Sequence, residues 1–232
     1  MLALDIELDS QPTSRRQNAY DTILSAIVFG DLAPGSRLDE KSLASRLGIG
    51  IAGVRDALFR LALERLVVRQ PRTGTIVAGL DVQELQDVYE ARILIECQSA
   101  RIAALRADAQ DLEILSKLTD EYLAIVELRD FRKLFKLDQI FHRAIARSTK
   151  NRILEQHVVV LHNNASRFWY AGAVARLEQE DWIKSRQSHV DVVDRMRARD
   201  ARGAEKAMRE CVGQFPGFVD YYVSNTEAYG LK

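Results

Sequence analysis

The chain has 232 residues, with 33 Lys+Arg against 33 Asp+Glu and 47% apolar residues, the balance of an ordinary globular protein rather than a disordered or strongly basic one. Only 12 Gly and 4 Pro argue against an all-β fold, and two cysteines, Cys97 and Cys211, exclude a disulfide framework at this length. No apolar run approaches the ~18 residues of a membrane span, and the acidic start MLALDIELD lacks the basic region of a signal peptide, so a cytoplasmic protein with no membrane partner is expected.

Residues 1–11 are expected to form a loose arm, and residues 12–80 a first domain. A helix is predicted from Arg15 to Gly30, with Ala19, Ile23, Ala26 and Ile27 on one face, and Ala33-Pro34-Gly35 turns the chain. Asp39 or its neighbour caps a second helix whose inner face is Leu43, Ala44 and Leu47, and Gly48 closes it. A third helix starts at Gly50 or Ile51 and ends near Arg65. It turns Val54, Leu58, Leu61 and Ala62 inward and leaves Arg55, Asp56, Phe59 and Arg60 outward. Leu66-Val67-Val68 and Thr75-Ile76-Val77 then read as two short strands around a turn whose Gly74 suits an unusual backbone angle. This is the pattern of a helix-turn-helix with a two-stranded wing, a unit that sets one helix in the DNA major groove. From Gln11 to Leu80 ten basic residues face six acidic ones, so the basic excess sits on the part that would meet phosphate.

Residues 81–232 carry no strand signal. Asp81 caps a helix through Leu105, and five more are predicted at about Asp108–Leu128, Phe131–Thr149, Asn151–Ala171, Leu177–Arg199 and Ala201–Val223, with a kink near Pro216. Short loops make neighbouring helices antiparallel. The fold class is therefore mainly α: a winged helix-turn-helix followed by an all-helical antiparallel bundle.

The bundle contains a polar contradiction. On the Phe131–Thr149 helix, Asp138 and His142 fall on the apolar face defined by Leu134, Phe141 and Ile145. His189 shares a face with Trp182, Val193 and Met196, and Cys211 shares one with Ala204, Met208 and Phe215. Buried ionisable groups are costly unless paired, and an Asp and a His four residues apart reach one metal ion together. One inward histidine is ordinarily a satisfied core residue; four inward donors on three helices point to a metal.

The segments LDEKSLASRLGI, VRDALFRLALERLVV and PRTGTIV, in this order after a helix and a Pro-Gly turn, resemble the GntR family of bacterial transcription regulators. The resemblance covers residues 12–80 without a gap. It implies operator DNA as a partner and a DNA-binding set of Arg15, Arg16, Lys41, Gly50, Ile51, Ala52, Arg55, Arg72 and Gly74. The family opens its recognition helix with Ser-Arg-Thr-Pro where this chain has Gly50-Ile51-Ala52-Gly53, so a reading arginine and a capping hydroxyl are lost. Altered, relaxed specificity is the expectation.

The helical part resembles the family's FCD effector domain, more closely its shorter VanR-like branch than the fatty-acid-regulator-type branch. The resemblance implies metal ligands at Asp138, His142, His189 and Cys211, the last standing where the family has histidine. Cysteine keeps a soft zinc donor there, or leaves a structural or redox-sensitive thiol. Zinc is the first choice of ion, with nickel or manganese as alternatives, and a small carboxylate effector would sit beside it. Tyr89 and Arg92, in a Tyr-Glu-x-Arg-x-x-x-Glu helix, match residues that face the effector, although Arg92 and Glu96 also suit a plain surface pair. His162 is a further effector-side candidate, and Asn163, Asn164 and Arg167 are weaker ones. The expectation is a homodimeric one-component regulator and not an enzyme. The alternatives are an acyl-CoA-type or metal-independent effector and, lower still, a metal-dependent enzyme, against which the ligand set looks filled and lacks an adjacent base.

Overall fold

The structure is a computed structural model that describes residues 15–71, 74–173 and 179–213, the side chains of residues 15–18, 171–173 and 179 excepted. The first part consists of helix α1 (Arg15–Val28), strand β1 (Arg37–Leu38), helices α2 (Glu40–Leu47) and α3 (Ile51–Leu63), and strands β2 (Val67–Gln70) and β3 (Gly74–Val77). The Asp39 side chain accepts from the Ser42 backbone N–H at 2.7 Å and so caps α2, and Gly48 ends it in the left-handed region at φ 62°. Gly50 begins α3 with no side-chain cap.

The wing is larger than the sequence pattern indicated. β1 pairs antiparallel with β3, which also pairs with β2, so the sheet has three strands in the order β1-β3-β2. A two-residue strand carries no periodicity to read, which is why β1 was not foreseen. Gly74 opens β3 at φ 94°, a conformation that side-chain-bearing residues rarely adopt. The core of this unit packs Ile23 and Ile27 of α1 against Leu58 and Leu61 of α3, all buried.

Six helices follow among the described residues: α4 (Val82–Arg106), α5 (Ala109–Leu128), α6 (Phe131–Ser148), α7 (Arg152–Ala173), α8 (Gln179–Arg197) and α9 (Ala201–Gly213). Asp81, Asp108 and Asp130 each accept a backbone N–H three residues on, so the first three begin at capped, sequence-legible points. Helix α4 is central and packs on α6, α7, α8 and α9, while α5 packs on α6 and α8. Leu105 is 64% exposed on the outer face of α4, while Ala103 and Ala104 beside it are buried. The expected continuation of α9 to Val223, and the kink at Pro216, lie outside the described residues.

The two parts meet along α7. Its Asn164 side-chain amide donates at 2.9 Å to the Glu64 carbonyl at the end of α3, and Arg167 donates to the Ala78 and Gly79 carbonyls and pairs with Glu84 at 2.5 Å. Asn164 and Arg167 therefore brace the helix-turn-helix unit. At the other edge Arg132 makes a two-point pair with Asp31, at 2.8 and 3.1 Å, and lies over the Phe29 ring.

Leu58 has no solvent exposure between α1 and α3. Leu58→Ala is expected to lower the stability of the first unit by about 2–5 kcal/mol, read as a lowered first transition in chemical denaturation.

Candidate metal and effector site

Five helices converge on one buried cluster. Helix α4 contributes Arg92 and Glu96, α6 contributes Asp138 and His142, α7 His162, α8 His189 and α9 Cys211. Three imidazoles point an Nε2 at the single carboxylate of Asp138: His162 at 2.8 Å from Oδ2, His189 at 3.2 Å and His142 at 3.9 Å from Oδ1. The Cys211 thiol lies within 4.8 Å of the donor nitrogens of His142 and His189, and Asp138, His142 and His162 form a second group of the same size. The structure brings the four inward donors of the sequence, Asp138, His142, His189 and Cys211, into this one cluster.

The donor set fits a divalent cation. Behind the cluster, Glu96 Oε2 approaches His142 Nδ1 to 2.5 Å while its Oε1 accepts from Arg92 Nε at 2.6 Å. A carboxylate behind an imidazole fixes which nitrogen faces the site, the usual support of a metal-binding histidine. His189 Nδ1 is buried without a hydrogen-bond partner among the described residues. Without a metal, protons supply the positive charge. Burial works against ionisation at every group, yet Glu96, Cys211 and Asp138 hold the His142 imidazole up at about 10. Burial likewise opposes charge on His189, but Cys211 and Asp138 raise it to about 9, and His189 and His142 in turn bring the buried Cys211 thiol down to about 6. Burial is overcome at Asp138 too, held well below the carboxylate range by His162, His189 and His142. A metal ion would replace these protons.

A cavity of about 490 Å³ opens onto this cluster, lined by Arg92, Asp138, His142, Trp169, His189 and Cys211 among others. Arg92 is not half of a surface pair: it and Glu96 are both buried, because α4 runs through the middle of the bundle. Tyr89 and His162 stand behind the lining. The Trp169 indole N–H donates to the Tyr89 hydroxyl, and His162 is engaged with Asp138 and Ser166. The role of Glu96 behind His142 was missed by sequence reasoning, since the two lie on different helices. Trp169 and Trp182 on the cavity wall gave no signal beyond apolar periodicity.

On the first unit, Ile51 and Ala52 are exposed at the start of α3, and Lys41 is exposed on α2. Arg55 is exposed but paired with Glu40 at 2.6 Å, beside a groove between α3 and the wing that Phe59, Arg69 and Gly74 also line. Arg15 and Arg16 open α1 with side chains outside the described residues, and Arg72 lies outside them altogether.

The profile of the FCD domain matches residues 87–214, and that of the bacterial regulatory proteins of the gntR family matches residues 15–77. The chain belongs to the GntR family, with an FCD domain. Among the relatives of this GntR-family regulator is the HTH-type transcriptional repressor RspR of Escherichia coli K12, 25% identical over 209 residues, covering 89% of this chain and 90% of that one. The HTH-type transcriptional repressor GlaR of the same organism is 29% identical over 203 residues, covering 83% and 90%. The fold is that of E. coli McbR/YncC, with a TM-score of 0.82 at 20% identity over 91% of this chain and 100% of that one. A putative GntR regulator from Rhodococcus sp. RHA1 shares it at a TM-score of 0.69 and 20% identity, covering 89% and 98%. The regulator is thus a helix-turn-helix transcription regulator, not an enzyme, and no described helix is long and apolar enough to cross a membrane.

The buried Arg92–Glu96 pair yields a test. Arg92→Leu leaves Glu96 short of its main cation and is expected to cost about 3–5 kcal/mol in denaturant unfolding, with Arg92→Leu/Glu96→Leu recovering part of that loss.

Proposed function

We propose that this regulator binds operator DNA as a cytoplasmic homodimer and that a small organic acid, held beside a divalent metal in the FCD domain, modulates that binding. The observation that carries the reading is the convergence of Asp138, His142, His189 and Cys211 at the floor of a cavity that also exposes the Arg92 guanidinium. Asp138, His142, His189 and Cys211 would hold the ion, zinc foremost because nitrogen and thiolate donors are mixed, with nickel or manganese as alternatives. The ion offers a carboxylate a positive point of attachment, and Arg92 offers a second. Trp169 and Trp182 supply an apolar part of the wall. In this reading the DNA-binding domain ends near residue 80 and the effector domain follows it, and the six helices among the described residues after residue 81 are in keeping with the shorter, VanR-like branch.

For the DNA half, the exposed start of α3 enters a major-groove half-site, with a second subunit in the next one. Leu94 and Leu105 lie eleven residues apart on one stripe of α4 and are each more than 60% exposed, an apolar strip suited to a second subunit. Ile51 and Ala52 lack hydrogen-bond donors and read at most a thymine methyl. Affinity then rests on Lys41, Arg55, the wing with Gly74 and Arg72, and the entry to α1 with Arg15 and Arg16. These are largely phosphate contacts, so binding is expected to weaken steeply with salt. Arg55 must leave Glu40 to contribute.

Two measurements test the proposal. Elemental analysis of the purified regulator should find a transition metal, and chelation should change its affinity for DNA from its own promoter region; metal-free protein with unchanged DNA binding would rule out the metal-carboxylate reading. Ile51→Arg, which restores a bidentate donor, should alter operator preference by about 1–3 kcal/mol at one position in a binding-site selection. Unaltered affinity and preference would show that this helix start does not enter the groove.

A further inference from the structure

We infer that His162 is itself a metal donor, binding through Nε2 the same ion as Asp138 and His142, and that it does so in the tautomer Ser166 imposes. The inference rests on the metal reading above and adds a ligand from a fourth helix, α7. Geometry carries it. His162 is buried, with Nε2 2.8 Å from Asp138 Oδ2 and Nδ1 3.1 Å from Ser166 Oγ. The Ser166 hydroxyl has one hydrogen, which it donates to the His162 backbone carbonyl at 2.8 Å, the habitual back-bond of a helical serine. Ser166 Oγ can therefore only accept from His162, which places the ring proton on Nδ1.

A neutral His162 then turns the Nε2 lone pair onto a carboxylate oxygen. That 2.8 Å approach requires a cation between the two atoms, either a second ring proton or a metal ion that binds both. The donor atoms of Asp138, His142 and His162 all lie within 4.8 Å of one another, a group complete without Cys211. Holding the second imidazole nitrogen with a hydroxyl is the supporting arrangement that orients a metal-binding histidine. The same helix reaches the DNA-binding unit two residues later, where Asn164 donates to the Glu64 carbonyl ending α3. A metal-bound His162 thus ties the ion to the helix that braces the recognition helix.

The experiment is zinc titration of the full chain against a chromophoric chelator, comparing native protein, His162→Gln, Ser166→Ala and His189→Gln. His162→Gln is expected to weaken zinc at least about tenfold, and Ser166→Ala, which keeps the ligand and removes its orienting partner, within the range of about 10–100-fold. The His162→Gln protein should also lose the effect of zinc on operator affinity. Zinc affinity of both His162→Gln and Ser166→Ala within about twofold of native, with His189→Gln weakened, would overturn the His162 assignment and leave the metal reading standing. No zinc binding by native protein would overturn both. Thermal melts in chelator establish that each variant is folded, and if His162→Gln is not, the Ser166→Ala affinity decides.

Discussion

The constraint on which the effector half depends is the burial of the Asp138 carboxylate. A charge in that position is tolerable only with compensating partners close by, and the bundle supplies imidazoles from α7 and α8 at 2.8 and 3.2 Å and a third from α6 at 3.9 Å. Two of the imidazoles have a group behind their far nitrogen, Glu96 for His142 and Ser166 for His162. Glu96 in turn needs Arg92. The demand for countercharge therefore passes outward from one carboxylate and fixes the relative rotation of α4, α6, α7 and α8. A well-packed apolar core would meet the stability requirement alone; a cluster this charged at the floor of a cavity is better explained by a ligand than by folding.

Helix α7 gives that cluster a mechanical outlet. Within six residues it carries His162 against Asp138, Asn164 against the end of the recognition helix and Arg167 against the Ala78–Gly79 connection. These groups point to different sides of one rigid helix, so a small rotation driven at His162 displaces the other contacts. Coupling of this kind requires only that occupied and empty sites prefer different placements of α7.

On the DNA side the scaffold and the reading surface have separated. The caps at Asp39 and Gly48, the buried Val54, Leu58 and Leu61, and the left-handed Gly74 are all in place, so the unit folds as its relatives do. Its reading edge carries Ile51 and Ala52, and its most prominent arginine, Arg55, is engaged with Glu40. Fold and specificity draw on different faces of α3, which allows the one to persist while the other changes.

The sequence by itself determined the element order, the capping residues and the four inward donors Asp138, His142, His189 and Cys211. Those features depend on local spacing: a cap acts over three residues, and a helix face repeats every three to four. It also carried the resemblance to the GntR family with its FCD domain, because the helix-turn-helix motif lies in one continuous stretch. Only the tertiary structure decided the rest. The third strand β1 exists because β3 offers it an edge, not because two residues prefer extension. Whether Arg92 and Glu96 formed a surface pair or a buried one depended on where α4 sat in the bundle. Whether His162, Asn164 and Arg167 served the cavity or the domain junction depended on the rotation of α7. Contacts between residues 24 to 100 positions apart are set by how helices pack, and no pattern along the chain encodes them.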